Sequence, residues 1–335
     1  MKTINNILAI ASIALSLTAC SSDNESTSNN EGKEYPISLS VGIGDLSVVT
    51  RATSTFAPDG GKLGFYIVSN GGKSDHSSTK YFCKNEEVSC SGSTWSFPTN
   101  VVHYWASDDA TIDYIAYFPH QEDSKITETS GMTKNYYQIS WDVAPDVDTS
   151  NGGTVIQNLT YDPLDLLWVT SSATNSTNNH EIALTLGHAC SKLTVNVKKL
   201  GSEITNSNSN ATVDGISING MSTTGTFILS SATSSEEGTW TNLNNTESIK
   251  MEKLSTPAEG MEFTYEAILI PQTAASTLMI TLSNNATYQL SIPNQEYKMG
   301  THYTITIQVG QDQVTLGGIT QTGWESVTGG DLTAQ

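Results

Sequence analysis

Ile37-Ser38-Leu39-Ser40-Val41-Gly42-Ile43 alternates apolar side chains with small or polar ones. A period of two residues is typical of a β-strand that buries one face and exposes the other. The same alternation recurs at residues 63–67, 112–118, 137–141, 182–186, 193–197, 263–269, 278–282, 288–292 and 303–309. No comparable stretch after the N-terminal segment has a helical period. We therefore expect an all-β fold built from antiparallel sheets.

The chain contains 335 residues, more than one simple β-sandwich needs. We predict two antiparallel β-sandwich domains in tandem, residues 35–190 and residues 191–335. We predict that residues 20–34 form a disordered tether, because residues 21–34 include no large apolar side chain. Residues 311–335 follow the last strongly alternating segment and form a C-terminal tail.

The first residues predict a lipoprotein signal peptide. Lys2 provides positive charge, residues 7–19 form an apolar run, and small residues precede Cys20. Leu17-Thr18-Ala19-Cys20 resembles a bacterial lipobox, which predicts removal of residues 1–19 and lipidation of the Cys20 thiol. Acyl chains would then hold the protein on a membrane. The alternative is an ordinary secretion signal followed by a chance cysteine.

The composition argues against several classes of function. The formal net charge is −19, so we predict no binding to nucleic acid or to anionic lipid head groups. Nucleophile-elbow, zinc-protease and phosphate-loop motifs are absent from the sequence, and no enzyme activity, cofactor or metal site is predicted. A glycosidase pair among the many carboxylates stays open as an alternative. Four aromatic residues are predicted to lie in the core rather than to form a sugar-stacking platform: Trp95, Tyr104, Trp105 and Trp141.

Three cysteines follow Cys20. Cys83 and Cys90 flank six residues that we predict to form a hairpin loop, and in an oxidising compartment the two thiols either bond to each other or stay free. Cys190 lies in an apolar strand and is predicted to be a buried thiol.

Two segments near the ends of the chain are candidates for rearrangement. Arg51 lies in a connector rich in small polar residues, which favours proteolysis. In the C-terminal tail, the adjacent Gly317 and Gly318 predict a bulge that shifts the inward face from Leu316 to Ile319. The tail either completes its own domain or serves as a strand for another molecule.

Several short segments resemble the bacterial fimbrillin family, the type V pilus subunits. They are, in order, Asp165-Leu166-Leu167-Trp168, Leu186-Gly187-His188-Ala189-Cys190-Ser191-Lys192-Leu193-Thr194-Val195, Met299-Gly300-Thr301-His302-Tyr303-Thr304-Ile305 and Ile319-Thr320-Gln321-Thr322-Gly323-Trp324. Together with the lipobox, this order extends the resemblance over nearly the whole chain. The resemblance implies transthyretin-like, Greek-key sandwiches and a structural or adhesive subunit of a cell-surface fimbria.

The resemblance also implies a maturation mechanism. A lipidated precursor would reach the outer membrane, and an arginine-specific protease would cut between Arg51 and Ala52 in this chain. Removal of the first strand would open a groove that a strand from another fimbrial subunit fills. The displaced side chains would be Ile37, Leu39, Val41 and Ile43. The donor residues would be Val314, Leu316, Ile319 and Trp324.

Two alternatives remain at this point. In the first, the chain is a surface glycan-binding lipoprotein that never polymerises. In the second, it is an anchor or tip component of the fimbria. The first keeps its N-terminal strand covalently attached in the mature protein.

Overall fold

The computed structural model describes residues 34–44, 54–73, 77–129, 136–144, 164–176, 180–198, 212–230, 236–309 and 314–324. Within these ranges the chain forms strands and one short 3-10 helix, Asp123–Lys125, so the all-β prediction is confirmed. Each alternating segment coincides with a strand, although Ile37 itself lies between two strands. The described strands are β1 (Tyr35–Pro36), β2 (Ser38–Ile43), β3 (Ser54–Thr55), β4 (Lys62–Asn70), β5 (Cys83–Ser91), β6 (Thr94–Ser96), β7 (Tyr104–Trp105), β8 (Thr111–Phe118), β9 (Ile126–Thr129), β10 (Tyr136–Asp142), β11 (Leu167–Thr174), β12 (Glu181–His188), β13 (Ser191–Lys198), β14 (Val213–Asn219), β15 (Thr224–Ser230), β16 (Trp240–Asn244), β17 (Ile249–Lys250), β18 (Glu252–Lys253), β19 (Met261–Leu269), β20 (Gln272–Leu282), β21 (Thr287–Tyr297), β22 (Thr301–Val309) and β23 (Val314–Gly323).

Seven strands of the N-terminal half form a closed ring of hydrogen-bonded neighbours. From β2 the order is β12, β11, β8, β4, β5, β6 and again β2. The short β3 pairs with the last two residues of β2. Buried apolar side chains from all seven strands form one core, which includes Leu63, Ile112 and Leu184. Because the ring has no free edge at β2, removing that strand would open it.

Two strand pairs are parallel, so the prediction of purely antiparallel sheets was wrong. β2 runs parallel to β12, and β13 runs parallel to β22. Parallel neighbours need a long crossover connection, and a large part of the chain separates the strands in both cases. The alternation of apolar side chains predicts which face of a strand is buried but not the direction of its neighbour.

The C-terminal half contains two sheets that share a core. One has the order β18-β19-β13-β22-β23, and the other has the order β17-β14-β20-β21. Val195 and Ile305 of the first sheet belong to the same buried apolar cluster as Ile218 and Ile280 of the second. A common core between two sheets is what a β-sandwich requires.

A fourth sheet joins strands from both sides of residue 190. Its order is β16-β15-β10-β9, and β10 pairs antiparallel with β15. The predicted boundary at residue 190 therefore does not divide the sheets into two separate sets. The physical reason lies in β4 and β8, which are buried on both faces. Tyr66 of β4 and Tyr117 of β8 point away from the ring core. They belong to the same apolar cluster as Tyr137 of β10 and Phe227 of β15.

The predicted hairpin between Cys83 and Cys90 was wrong, and a disulfide between them is excluded. Both residues lie in the single strand β5, and both thiols are free. Seven residues of extended chain span about 23 Å, far beyond the roughly 7 Å between Cα atoms that a disulfide bridges. Cys190 is buried and forms no disulfide, as predicted, but it lies between β12 and β13 rather than in a strand.

Candidate assembly sites

The first candidate site is the slot that β2 occupies in the ring. One edge of β2 pairs with β12, and this ladder continues to the Gly44 N–H, which donates to the Leu186 oxygen at 2.9 Å. The other edge pairs with β6 at Leu39 and Trp95 and then with β3. β2 therefore has hydrogen-bonded neighbours on both sides.

The side chains of β2 and the preceding residue fill the ring core. Ile37, Val41 and Ile43 are buried with exposed fractions of 4–6%, and Leu39 is half-buried. On β12 the residues in the same core are Ile182, Leu184 and Leu186. Burying three aliphatic side chains contributes about 4.5–9 kcal/mol as an upper estimate. An empty slot would expose these β12 side chains and leave backbone groups unpaired.

The connector between β2 and β3 contains the predicted processing site. Arg51, Ala52 and the predicted lipidation site Cys20 lie outside the described residues. Because β3 pairs with Gly42 and Ile43, the chain leaves and returns at the same end of β2. The sequence contains no arginine other than Arg51, so an arginine-specific protease has one site in the whole chain.

The second candidate site is the C-terminal strand β23. It pairs antiparallel with β22 and ends the five-stranded sheet, so among the described strands it has a neighbour on one side only. In this structure the tail completes its own sheet, which is one of the two alternatives that the sequence left open. Leu316 is 37% exposed, and Ile319 is half-buried against the core.

The predicted glycine bulge in β23 is confirmed. Thr306 pairs with Gly318 and Ile307 pairs with Leu316, so Gly317 is the extra residue. Gly318 has a φ of +135°, a backbone conformation that favours glycine. As a consequence, Leu316 and Ile319 lie on the same face of the strand although three positions separate them.

Trp324 anchors the end of the tail at a buried pair of polar side chains. Its indole stacks on the His188 ring with centroids 3.9 Å apart and planes 10° apart, and the backbone N–H of Trp324 donates to the Gly300 oxygen at 2.9 Å. His188 Nδ1 lies 2.7 Å from Asp165 Oδ2, and both residues are buried. Nε2 of His188 has no hydrogen-bond partner among the described residues. The sequence places His188 in a segment that resembles the fimbrillin family but contains no sign of its contact with Trp324.

The aromatic residues considered for sugar binding are mostly part of the core. Trp95, Trp105 and Trp141 are buried, and each indole N–H donates to a backbone oxygen at 2.8–3.0 Å. Tyr104 is half-buried. The core prediction is confirmed for the three tryptophans, and no stacking platform is available from them.

Two further features are absent from the part of the chain that the structure describes. There, no three His, Cys, Asp or Glu side chains converge to hold a metal ion. The same residues include no helix with the length and hydropathy that a membrane span requires.

A family model described as fimbrillin-like matches residues 50–324. This chain belongs to the fimbrillin-like family. The match confirms the predicted resemblance and begins beside Arg51, so β2 lies before it. As a family member the chain is a structural or adhesive fimbrial subunit of the cell surface, and it interacts with other fimbrial subunits. No curated protein matches the chain.

Solved structures show the same fold at low sequence identity. A candidate cell adhesion protein from Bacteroides uniformis has a TM-score of 0.59 at 15% identity, covering 88% of this chain and 99% of that one. A second candidate cell adhesion protein, from Bacteroides ovatus, has a TM-score of 0.55 at 17% identity, with coverage of 88% and 99%. A fimbrial protein from Bacteroides vulgatus has a TM-score of 0.51 at 15% identity, with coverage of 88% and 100%.

Proposed function

We propose that this fimbrial subunit is made as a lipidated precursor, is cut after Arg51 and polymerises by donor-strand exchange. The observation that carries the proposal is the position of β2. This strand closes the ring between β12 and β6, and its C-terminal end continues into a connector that holds the only arginine of the chain. One cut there separates a core strand from the rest of the fold and lies outside every strand that the structure describes.

Departure of β2 leaves a slot that favours a new strand. The backbone of β12 loses its parallel partner, and Ile182, Leu184 and Leu186 lose the side chains that cover them. Unpaired strand edges and exposed apolar surface are both costly, and an added strand of alternating pattern restores both interactions.

The C-terminal strand is the proposed donor. In its own subunit β23 pairs, among the described strands, with β22 alone, whereas a strand in the slot pairs with β12 on one edge and with β6 and β3 on the other. Transfer therefore exchanges a one-sided ladder for a two-sided one. In their own subunit, the predicted donor side chains Leu316 and Ile319 are only partly buried. Trp324 would leave its stack on His188 in the same step.

Cleavage before Cys20 and lipidation of its thiol would bring the precursor to the outer membrane. The partners in this scheme are the outer membrane, an arginine-specific protease and other fimbrial subunits. The role is structural or adhesive rather than enzymatic. The loss of residues 20–51 would release the subunit from its lipid anchor at the moment when its slot opens.

A second candidate function is a terminal or anchoring component of the fimbria. It is favoured by the docked state of β23, which completes the subunit's own sheet and is held by Trp324. In such a component the slot accepts a strand but the tail stays in place.

Substitution of Arg51 tests the processing step. We expect Arg51→Ala and Arg51→Lys to give lipidated monomers, whereas the wild-type chain gives high-mass polymers on unboiled gels. The lysine variant is the matched control because it keeps the charge while removing the only arginine-specific site. Mass spectrometry should find Ala52 as the N-terminus of the wild-type subunit. Normal polymers from both variants would refute the cleavage step.

A further inference from the structure

The residues just before β2 are held by polar and aromatic side chains beside the ring, one of which, the buried Trp105, also packs in the ring core. Tyr35 pairs with Trp105 in the short ladder between β1 and β7, and its ring lies 5.0 Å from the His180 ring. The Glu34 carboxylate accepts a hydrogen bond from Lys80 Nζ at 2.6 Å. We call Lys80, Tyr81, Tyr104, Trp105 and His180 the slot anchor.

The slot anchor presents positive charge over aromatic rings. Lys80 Nζ lies 4.6 Å from the Tyr104 ring centroid and 5.5 Å from that of Tyr81, while Lys73 Nζ lies 4.8 Å from the Tyr81 ring. Among the described residues, Glu34 is the only carboxylate within 4.0 Å of the Lys80 ammonium. Hydrogen bonding to Lys80 lowers the pKa of Glu34, and the same bond raises the pKa of Lys80.

Glu34 and Tyr35, which contact the slot anchor, both belong to the segment that precedes Arg51. If cleavage removes that segment, as proposed above, Lys80 loses its carboxylate and His180 loses the Tyr35 ring. The surface that remains fits an extended strand that brings a carboxylate followed by an aromatic ring. We propose that the slot anchor selects an incoming strand with an acidic residue three positions, and an aromatic residue two positions, before the first of its alternating apolar residues.

The tail of this chain does not meet this requirement. If Val314 takes the place of Ile37 and Leu316 that of Leu39, then Gln311 falls at Glu34 and Asp312 at Tyr35. An amide would face Lys80 and a carboxylate would replace the aromatic ring. The preferred occupant is therefore a strand of a different fimbrial subunit rather than of a second copy.

The slot anchor acts on register and choice of partner more than on total affinity. A slip by two residues keeps the same face of a strand buried, so the apolar side chains alone discriminate weakly against it. Every such slip moves the carboxylate of the strand away from Lys80 and so breaks their ion pair. Because the ion pair is exposed, its loss should change affinity by no more than about fivefold.

Peptide competition on the processed protein tests this inference. The full chain is cut at Arg51 with an arginine-specific protease, and the resident segment is exchanged against peptides of residues 34–44. Glu34 and Glu34→Gln peptides are offered together at equal concentration, and mass spectrometry of the intact complex gives their relative occupancy. We expect about a three- to fivefold preference for the Glu34 peptide, as is typical of an exposed ion pair. This preference should shrink in 1 M salt.

Charge reversal provides the matched control. In a Lys80→Glu chain the preference should invert in favour of a Glu34→Lys peptide, whereas Lys62→Glu, which alters an exposed ion pair with Glu87 elsewhere, should leave it unchanged. Equal occupancy by all peptides would overturn the inference while leaving donor-strand exchange intact. Failure of every peptide to enter the slot would instead count against the proposed function itself. A peptide of residues 311–321 that outcompetes the Glu34 peptide would overturn the choice of a different subunit as partner.

Discussion

β2 and β23 are both apolar strands near an end of the chain, yet they are held in opposite ways. β2 has neighbours on both edges and buries its side chains in a closed ring, whereas β23 has one neighbour among the strands that the structure describes and leaves Leu316 exposed. One subunit thus combines a strand whose loss would leave a costly vacancy with a strand that, among the described residues, is paired along one edge. Such a pair of properties is what strand exchange between subunits needs.

One strand connects the two regions. β12 pairs with β2 over residues 181–186, and His188 at its end stacks on Trp324. β12, which loses its parallel partner when β2 leaves, is thus also the strand that contacts the end of the tail.

Alanine substitution should show the largest difference between the two strands. Ile43→Ala removes a buried side chain from the ring core and should lower the free energy of unfolding by about 2–5 kcal/mol. Leu316→Ala, on the exposed tail strand, should cost about 1 kcal/mol or less. Denaturant unfolding of the uncut chain measures both values, and similar losses would contradict the contrast between the strands.

The glycine bulge should give the next largest effect. Gly318→Ala places a side chain at a φ of +135° and should cost about 1–3 kcal/mol. Gly323→Ala on the same strand is the control. If both substitutions are equally mild, the bulge does not fix the conformation of the tail.

Trp324→Ala should loosen the tail without unfolding the ring. Loss of an aromatic pair worth about 0.5–1.5 kcal/mol should raise amide exchange in β23 by about two- to twelvefold. Exchange in β2 should stay unchanged. Thr322→Ala, an exposed change on the same strand, is the control, and equal exchange in both variants would show that the stack does not hold the tail.

Much of the strand content could be predicted because an apolar alternation reports burial directly. The pattern failed at β5, where Lys84-Asn85-Glu86-Glu87 suggested a polar loop. Asn85 is instead buried, and its side chain accepts a hydrogen bond from the Tyr117 hydroxyl at 2.6 Å and donates to the Gln121 oxygen at 2.9 Å. Partners so distant in sequence make a polar strand possible and leave no local signal.

The candidate sites were predictable to different degrees. The glycine pair at 317–318 predicted the bulge because a positive φ is a local property of glycine. The stack of Trp324 on His188 depends on a contact between residues far apart in the sequence, and so does the parallel pairing of β2 with β12. Sequence periodicity contains no information about either contact.

The smallest expected effect is a pH dependence that differs between the two regions. His103 lies beside the slot, where its backbone oxygen accepts the Ile37 N–H, and His302 pairs with Thr322 of the tail. Burial lowers the pKa of His103, although its hydrogen bond to the Thr79 oxygen opposes the shift. Burial and then Lys192 lower the pKa of His302, and Glu266 opposes them.

A histidine whose pKa is lower in the folded chain binds its proton more readily when unfolded. Both residues therefore reduce stability as the pH falls below the unfolded value of about 6.5. We expect His103→Gln to flatten the pH dependence of amide exchange in β2, and His302→Gln to do so in β23, after correction for intrinsic exchange. Glu86, 3.9 Å from His103 Nε2, has a pKa raised by burial and contributes with the opposite sign at lower pH. An identical pH profile of β2 exchange in wild type and His103→Gln would show that protonation near the slot does not affect how firmly its strand is held.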